Sequence, residues 1–157
     1  MAILVDDPHA FVRDIAYLDC RLIAIRLDDA GAWVEFVIAG TEPAGTRFFR
    51  LHFAGVSNLR RDNTLYRTGF RGFDPAILSV QPGSLGAGEA VEIHLTKSDD
   101  GYALRVPFGS LGEYRFTFTQ LAVERRTGHA HAAGDNTWEY TDRETGARID
   151  FNDPFPA

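Results

Sequence analysis

An all-β fold is what this sequence predicts: an antiparallel sandwich or partly open barrel of about eight to nine strands, with one short N-terminal helix. Three observations predict it. Short runs of alternating apolar and polar residues follow one another at intervals of roughly 8–12 residues, separated by turns rich in Gly, Asp and Pro. The alternation slips phase twice, once near Leu22 and once after Phe118. A strand side chain changes face with every residue, so each slip requires a bulge or a bend, as where a strand leaves one sheet for another. Finally, 157 residues form one domain, 1–157, large enough to bury a core without disulfide or metal staples.

The elements follow in chain order. Asp7 before Pro8 is an N-cap followed by a first helical position, and a helix from Pro8 to about Tyr17 would place Phe11 and Ile15 on one face. Leu18, Cys20 and Leu22 then have the opposite parity to Ile23, Ile25 and Leu27. A turn at Asp28–Gly31 leads to a return arm over Trp33–Ile38. After TEPAG, Phe49, Leu51 and Phe53 alternate with Phe48, Arg50 and His52. Ile77–Val80 is a weaker strand. Val91, Ile93 and Leu95 alternate with Glu92, His94 and Thr96, turn at KSDDG, and return through Tyr102, Leu104, Val106 and Phe108. Tyr114, Phe116 and Phe118 form the next strand and give way, out of phase, to Leu121 and Val123. A last hairpin pairs TWEYTD with ARIDF about RETG. GSLG occurs at both Gly83–Gly86 and Gly109–Gly112; it lacks the lysine and following helix of a phosphate loop and reads as the same bend made twice.

Composition narrows the function. The chain carries a net charge of −6, which disfavours nucleic acid, because phosphate-backbone affinity comes from cations. No stretch approaches membrane-spanning length. A single cysteine, Cys20, excludes an intrachain disulfide and suggests a reducing, cytoplasmic setting. Its apolar strand context makes Cys20 a small core residue rather than a nucleophile. No cofactor is expected.

Two segments carry candidate sites. In NLRRDNTLYRTGFRGFDP, Arg60, Arg61, Arg67 and Arg71 interleave with Tyr66, Phe70 and Phe73 along a long connection between strands. Arginine and aromatic residues are enriched at binding hot spots. An acidic protein surface or a phosphate-bearing ligand fits the charge. The competing reading is a solvated loop whose arginines pair with Asp62 and Asp74. In TGHAHAAGDN, His129 and His131 would lie on one strand face about 6–7 Å apart, close enough for one metal ion. The small residues around them read instead as a loop, and a metal site would have to borrow Asp135, Glu139, His52, His94 or another group. His52 and His94 alternate with core residues and so point outward or toward a cavity. The acidic residues of the C-terminal stretch, Asp142 and Asp153 among them, read as a solvated face. The aromatics Phe36, Phe48, Phe53, Tyr102, Phe116 and Phe118 would line the interior if the barrel were hollow.

The runs DCRLIAIRLD, WVEFVI and RLHFAGVSNLR resemble small bacterial all-β proteins of uncharacterised function, some of which are regarded as immunity proteins encoded beside polymorphic toxins. The likeness covers roughly Leu18 to Arg60 and rests on hydrophobic patterning plus Gly55; this chain has Leu18 where the pattern has histidine. It implies a toxin-antagonist role and transfers no catalytic residue. With no catalytic constellation in the sequence, the leading expectation is a non-enzymatic binding or protein-interaction module; the alternatives are a small-ligand-binding β-barrel and a metal-dependent enzyme built on His129 and His131. The expected partner is therefore another protein, with a homodimer left open.

Overall fold

The computed structural model describes residues 1–43, 45–63, 68–69, 78–81, 90–108 and 112–156, with backbone alone at Asn63, Thr68 and Gly69. Helix α1 spans Pro8–Ile15, and its start is set as the sequence predicts: Asp7 accepts a hydrogen bond from Ala10 N at 3.1 Å, and Pro8 opens the first turn. Phe11 and Ile15 are its buried stripe. A 3-10 turn, Ala16–Leu18, ends in a left-handed Asp19.

The strands are antiparallel and form two sheets. The larger contains β1 (Ile3–Leu4), β2 (Arg21–Leu27), β3 (Trp33–Glu42), β4 (Gly45–Ala54), β10 (Gln120–Ala132), β11 (Trp138–Asp142) and β12 (Arg148–Ile149), ordered β12-β11-β10-β4-β3-β2 with β1 also on β10. The smaller contains β5 (Ser57–Asn63), β6 (Thr68–Gly69), β7 (His94–Ser98), β8 (Gly101–Pro107) and β9 (Glu113–Phe118), ordered β6-β5-β9-β8-β7. Turn chemistry follows the sequence. The Asp28 carboxylate accepts from Ala32 N at 2.6 Å, tying the β2–β3 turn, and Ser98 pairs with Gly101 at the β7–β8 turn.

Both phase slips have structural causes. The pairing of β2 with β3 shifts between Leu22 and Ala24, so Leu22 and Ile25 face one core while Ile23 and Ala24 face another. The slip thus falls one residue later than the parity suggested, and Ile23 parts company with Ile25. The second slip is a corner. β4 continues into β5 through Gly55 and Val56, and β9 continues into β10 through Thr119. Ala54 pairs with Gln120 on one side of this corner and Ser57 with Thr117 on the other. Two neighbouring strands therefore leave one sheet and enter the other together.

The main core lies between the sheets. Phe36 touches the rings of Phe53, Phe108 and Phe116 edge-on, at centroid separations of 5.4, 5.6 and 6.0 Å. Such ring pairs add about 0.5–1.5 kcal/mol each beyond burial. Phe36, Phe53, Phe116 and Phe118 fill this interior, whereas Phe48 points to the opposite face of the larger sheet and Tyr102 is only partly buried. α1 closes one end, with Phe11 against Phe49 at 6.1 Å.

A second, smaller core covers the other face of the larger sheet. Phe48, Val37, Ala39 and Ile23 receive Phe155 from the C-terminal segment. Arginines from two strands grip its backbone: Arg26 donates to Phe155 O at 3.2 Å and Arg126 to Pro154 O at 2.6 Å. Arg50, on β4, lies over the Phe155 ring. Burial on both faces explains why Val37–Ile38 and Phe48–Phe49 read as apolar pairs rather than strict alternation.

Several predicted elements are corrected. Val91 and Ile93 precede β7, and Val91 N instead donates to Cys20 O at 2.9 Å. Val80 forms a single bridge, exchanging two hydrogen bonds with Ile25 at 2.9 and 3.0 Å. These two attachments cover the outer edge of β2. The His129–His131 stretch is strand, not loop, because β10 is long enough to pair with β11 beyond the end of β4. Of the two GSLG copies only Gly112 is described; its carbonyl accepts from Phe108 N at 2.8 Å, closing the β8–β9 turn. Among the described residues no helix is long and apolar enough to cross a membrane.

Candidate anion-binding groove

Strand register builds a row of basic side chains across the smaller sheet. Arg60 on β5 pairs with Arg115 on β9, Arg115 with Arg105 on β8, and Arg105 with His94 on β7. Directly paired residues point to the same face, and neighbouring strands lie about 4.8 Å apart. Four basic groups from four strands are thereby placed within roughly 15 Å. Each alternates with a core residue on its own strand, as Arg105 does between Leu104 and Val106, so burial of those neighbours fixes the direction of the row.

The row lines a groove of about 1060 Å³, open to solvent. α1 supplies further lining through His9 and Arg13 together with Val12. Four arginines and two histidines line the groove, and no described carboxylate does. In a chain of net charge −6, that local reversal of sign is the feature most in need of a reason.

Three described carboxylates contact the row from its margins, Glu92 standing 3.2 Å from His94 Nε2. Glu113 accepts from Arg105 Nη1 at 2.7 Å and from Arg115 Nε at 2.7 Å. Asp62 lies farther off, 3.7 Å from Arg60 and 3.8 Å from Arg115. Burial pushes the Glu113 carboxyl up, but the hydrogen bonds and charges of Arg105 and Arg115 outweigh it and hold the group below the usual carboxylate range. Glu113 is therefore a fixed anion at neutral pH that orients two guanidinium planes. The arginines themselves remain 44% exposed, and each guanidinium has five donors to offer.

The other candidate residues lie elsewhere. Arg60 is in the row, but Arg61 turns inward and hydrogen-bonds Tyr114, whose hydroxyl donates to Leu78 O at 2.8 Å. Both arginines belong to β5 rather than to a connecting loop. Tyr66, Arg67, Phe70, Arg71 and Phe73 lie outside the described residues. His129 and His131 share a face of β10, with His131 3.6 Å from Glu139; among the described residues no three His, Cys, Asp or Glu groups gather as a metal would need. His52 pairs with Glu35 at 2.7 Å and lies against the Trp33 ring at a tilt of 32°. Cys20 is buried, and burial followed by the nearby Asp19 charge pushes its thiol up to about 11.

Arg105 and Arg115 were legible as outward-facing, since each sits between apolar residues of a strand. Their convergence on Arg60 and His94 was not, because pairing register is a property of the folded sheet. Comparisons with protein-family models, with curated proteins and with solved structures found no match.

Proposed function

We propose that this chain is a non-enzymatic binding module whose groove on the smaller sheet docks an anionic segment of a partner protein. One observation carries the reading: four arginines and two histidines line a single groove of an acidic protein, without a described carboxylate among them. Such local charge accelerates capture of an oppositely charged partner and rejects cationic ones. The braced geometry suits binding, because guanidinium groups already held in place lose less freedom on contact. The toxin-immunity role implied by the Leu18–Arg60 resemblance is one form this function could take, and a cytoplasmic setting would keep the lone thiol reduced.

Capture from extract of the native host tests it. The wild-type protein should retain a partner at low salt and release it as salt rises, since exposed charges are screened. Arg105→Glu and Arg115→Glu should each abolish retention while the β-sheet circular dichroism is unchanged. A partner held equally well by both variants would place the interface elsewhere.

A further inference from the structure

Resting on the reading of the groove as a binding site, we propose that its preferred ligand group is a single phosphomonoester dianion carried on the partner segment, rather than a run of carboxylates. Three features of the row point to it. First, Glu113 already occupies the near side of Arg105 and Arg115 with a carboxylate. A partner Asp or Glu would repeat an interaction the protein makes internally, whereas a phosphate brings three acceptor oxygens and nearly twice the charge. Second, the excess charge is small. Arg13, Arg60, Arg105 and Arg115, set against Asp62, Glu113 and the Glu92 that lies 3.2 Å from His94, leave a net +1 around the groove with the histidines neutral. One phosphomonoester at neutral pH carries about −1.5 to −2, so a single group is enough to balance that excess and an extended polyanion far exceeds it. Third, the groove of about 1060 Å³ far exceeds one phosphate, and Val12, Leu59 and Ile93 supply apolar lining beside the charged row. That lining fits the flanking residues of a peptide, with the exposed Thr96 available as a further donor.

Calorimetric titration with three probes tests the proposal: the pentapeptide Ala-Ala-phosphoserine-Ala-Ala, the same peptide with glutamate in place of phosphoserine, and inorganic phosphate. The phosphopeptide should bind about tenfold or more tightly than the glutamate peptide, the ratio expected when a charge-assisted contact is added. Inorganic phosphate should bind more weakly and compete with it. Arg105→Gln and Arg115→Gln should each weaken phosphopeptide binding about tenfold, with urea midpoints confirming that both variants fold. Equal binding of the two peptides would overturn the phosphate preference while leaving an anion-binding groove in place. Inorganic phosphate binding as tightly as the phosphopeptide would overturn the peptide-borne ligand. Failure of all three probes would overturn this inference and the groove reading together.

Discussion

Asp142 is 7% exposed, yet its ionised form is fully engaged. Arg126 donates to one oxygen at 2.9 Å, and the backbone N–H groups of Glu144 and Thr145 donate to the other at 2.8 and 3.1 Å. An acidic residue in an acidic C-terminal stretch reads as solvated, but the RETG turn folds back over it and makes it the turn's own anchor. Asp153 departs from the same expectation, since Arg26 holds it at 2.9 Å. Asp142→Ala should lower unfolding free energy by about 3 kcal/mol, the scale of removing one partner of a buried charge pair, as read from urea denaturation. A loss below about 0.5 kcal/mol would show that the contact contributes little. Cys20 offers a second check. With its thiol buried and pushed up to about 11, a thiol reagent should label it in urea and barely at all in the native protein, because only the thiolate reacts.

The corner between the sheets depends on one glycine. Gly55 sits at φ +65°, and a Cβ added there would lie 2.1 Å from the Thr119 hydroxyl oxygen. Backbone conformation and close packing both exclude a side chain at that point. Gly55→Ala should therefore destabilise by more than the about 1–2 kcal/mol that left-handed backbone alone costs an L-residue. Adding Thr119→Gly should recover the excess and leave only that backbone cost. If the double variant is no more stable than Gly55→Ala, the collision is not the source. The same element scale shows what patterning could reveal. The slips at Leu22 and Phe118 announced a bulge and a corner because strand alternation admits no other account. The His129–His131 segment misled because its small residues resemble punctuation, while pairing with β11 holds it in the sheet.

For the molecule as a whole, stability should depend on pH in a direction the carboxylates set. For both Glu113 and Asp142, burial raises the carboxyl pKa, but arginine contacts, and backbone donors at Asp142, outweigh it and hold each group below its ordinary value. A group depressed in the folded state contributes stability that is present above the unfolded value and is lost as pH falls through the folded one. The urea midpoint should thus fall as pH drops through the ordinary carboxylate range, about pH 4, and below it. Combining Glu113→Gln with Asp142→Asn should flatten that decline. An unchanged slope would mean that other carboxylates govern acid unfolding. Ligand binding should show the complementary behaviour at neutral pH, weakening with ionic strength because the groove's positive field is exposed.

The sequence by itself determined the antiparallel β class, the capped helix at Pro8, most hairpins and the two breaks in phase. These follow from side-chain periodicity and turn chemistry, which act over a few neighbouring residues. It also presented Arg60 in a connecting segment and His94, Arg105 and Arg115 as separate residues on three strands, spread from position 60 to position 115 with no common motif. Only tertiary structure decided that they stand side by side, because register is fixed by the burial of every apolar residue between the sheets at once. The same collective packing turned Arg61 inward and drew Phe155 onto the far side of the larger sheet.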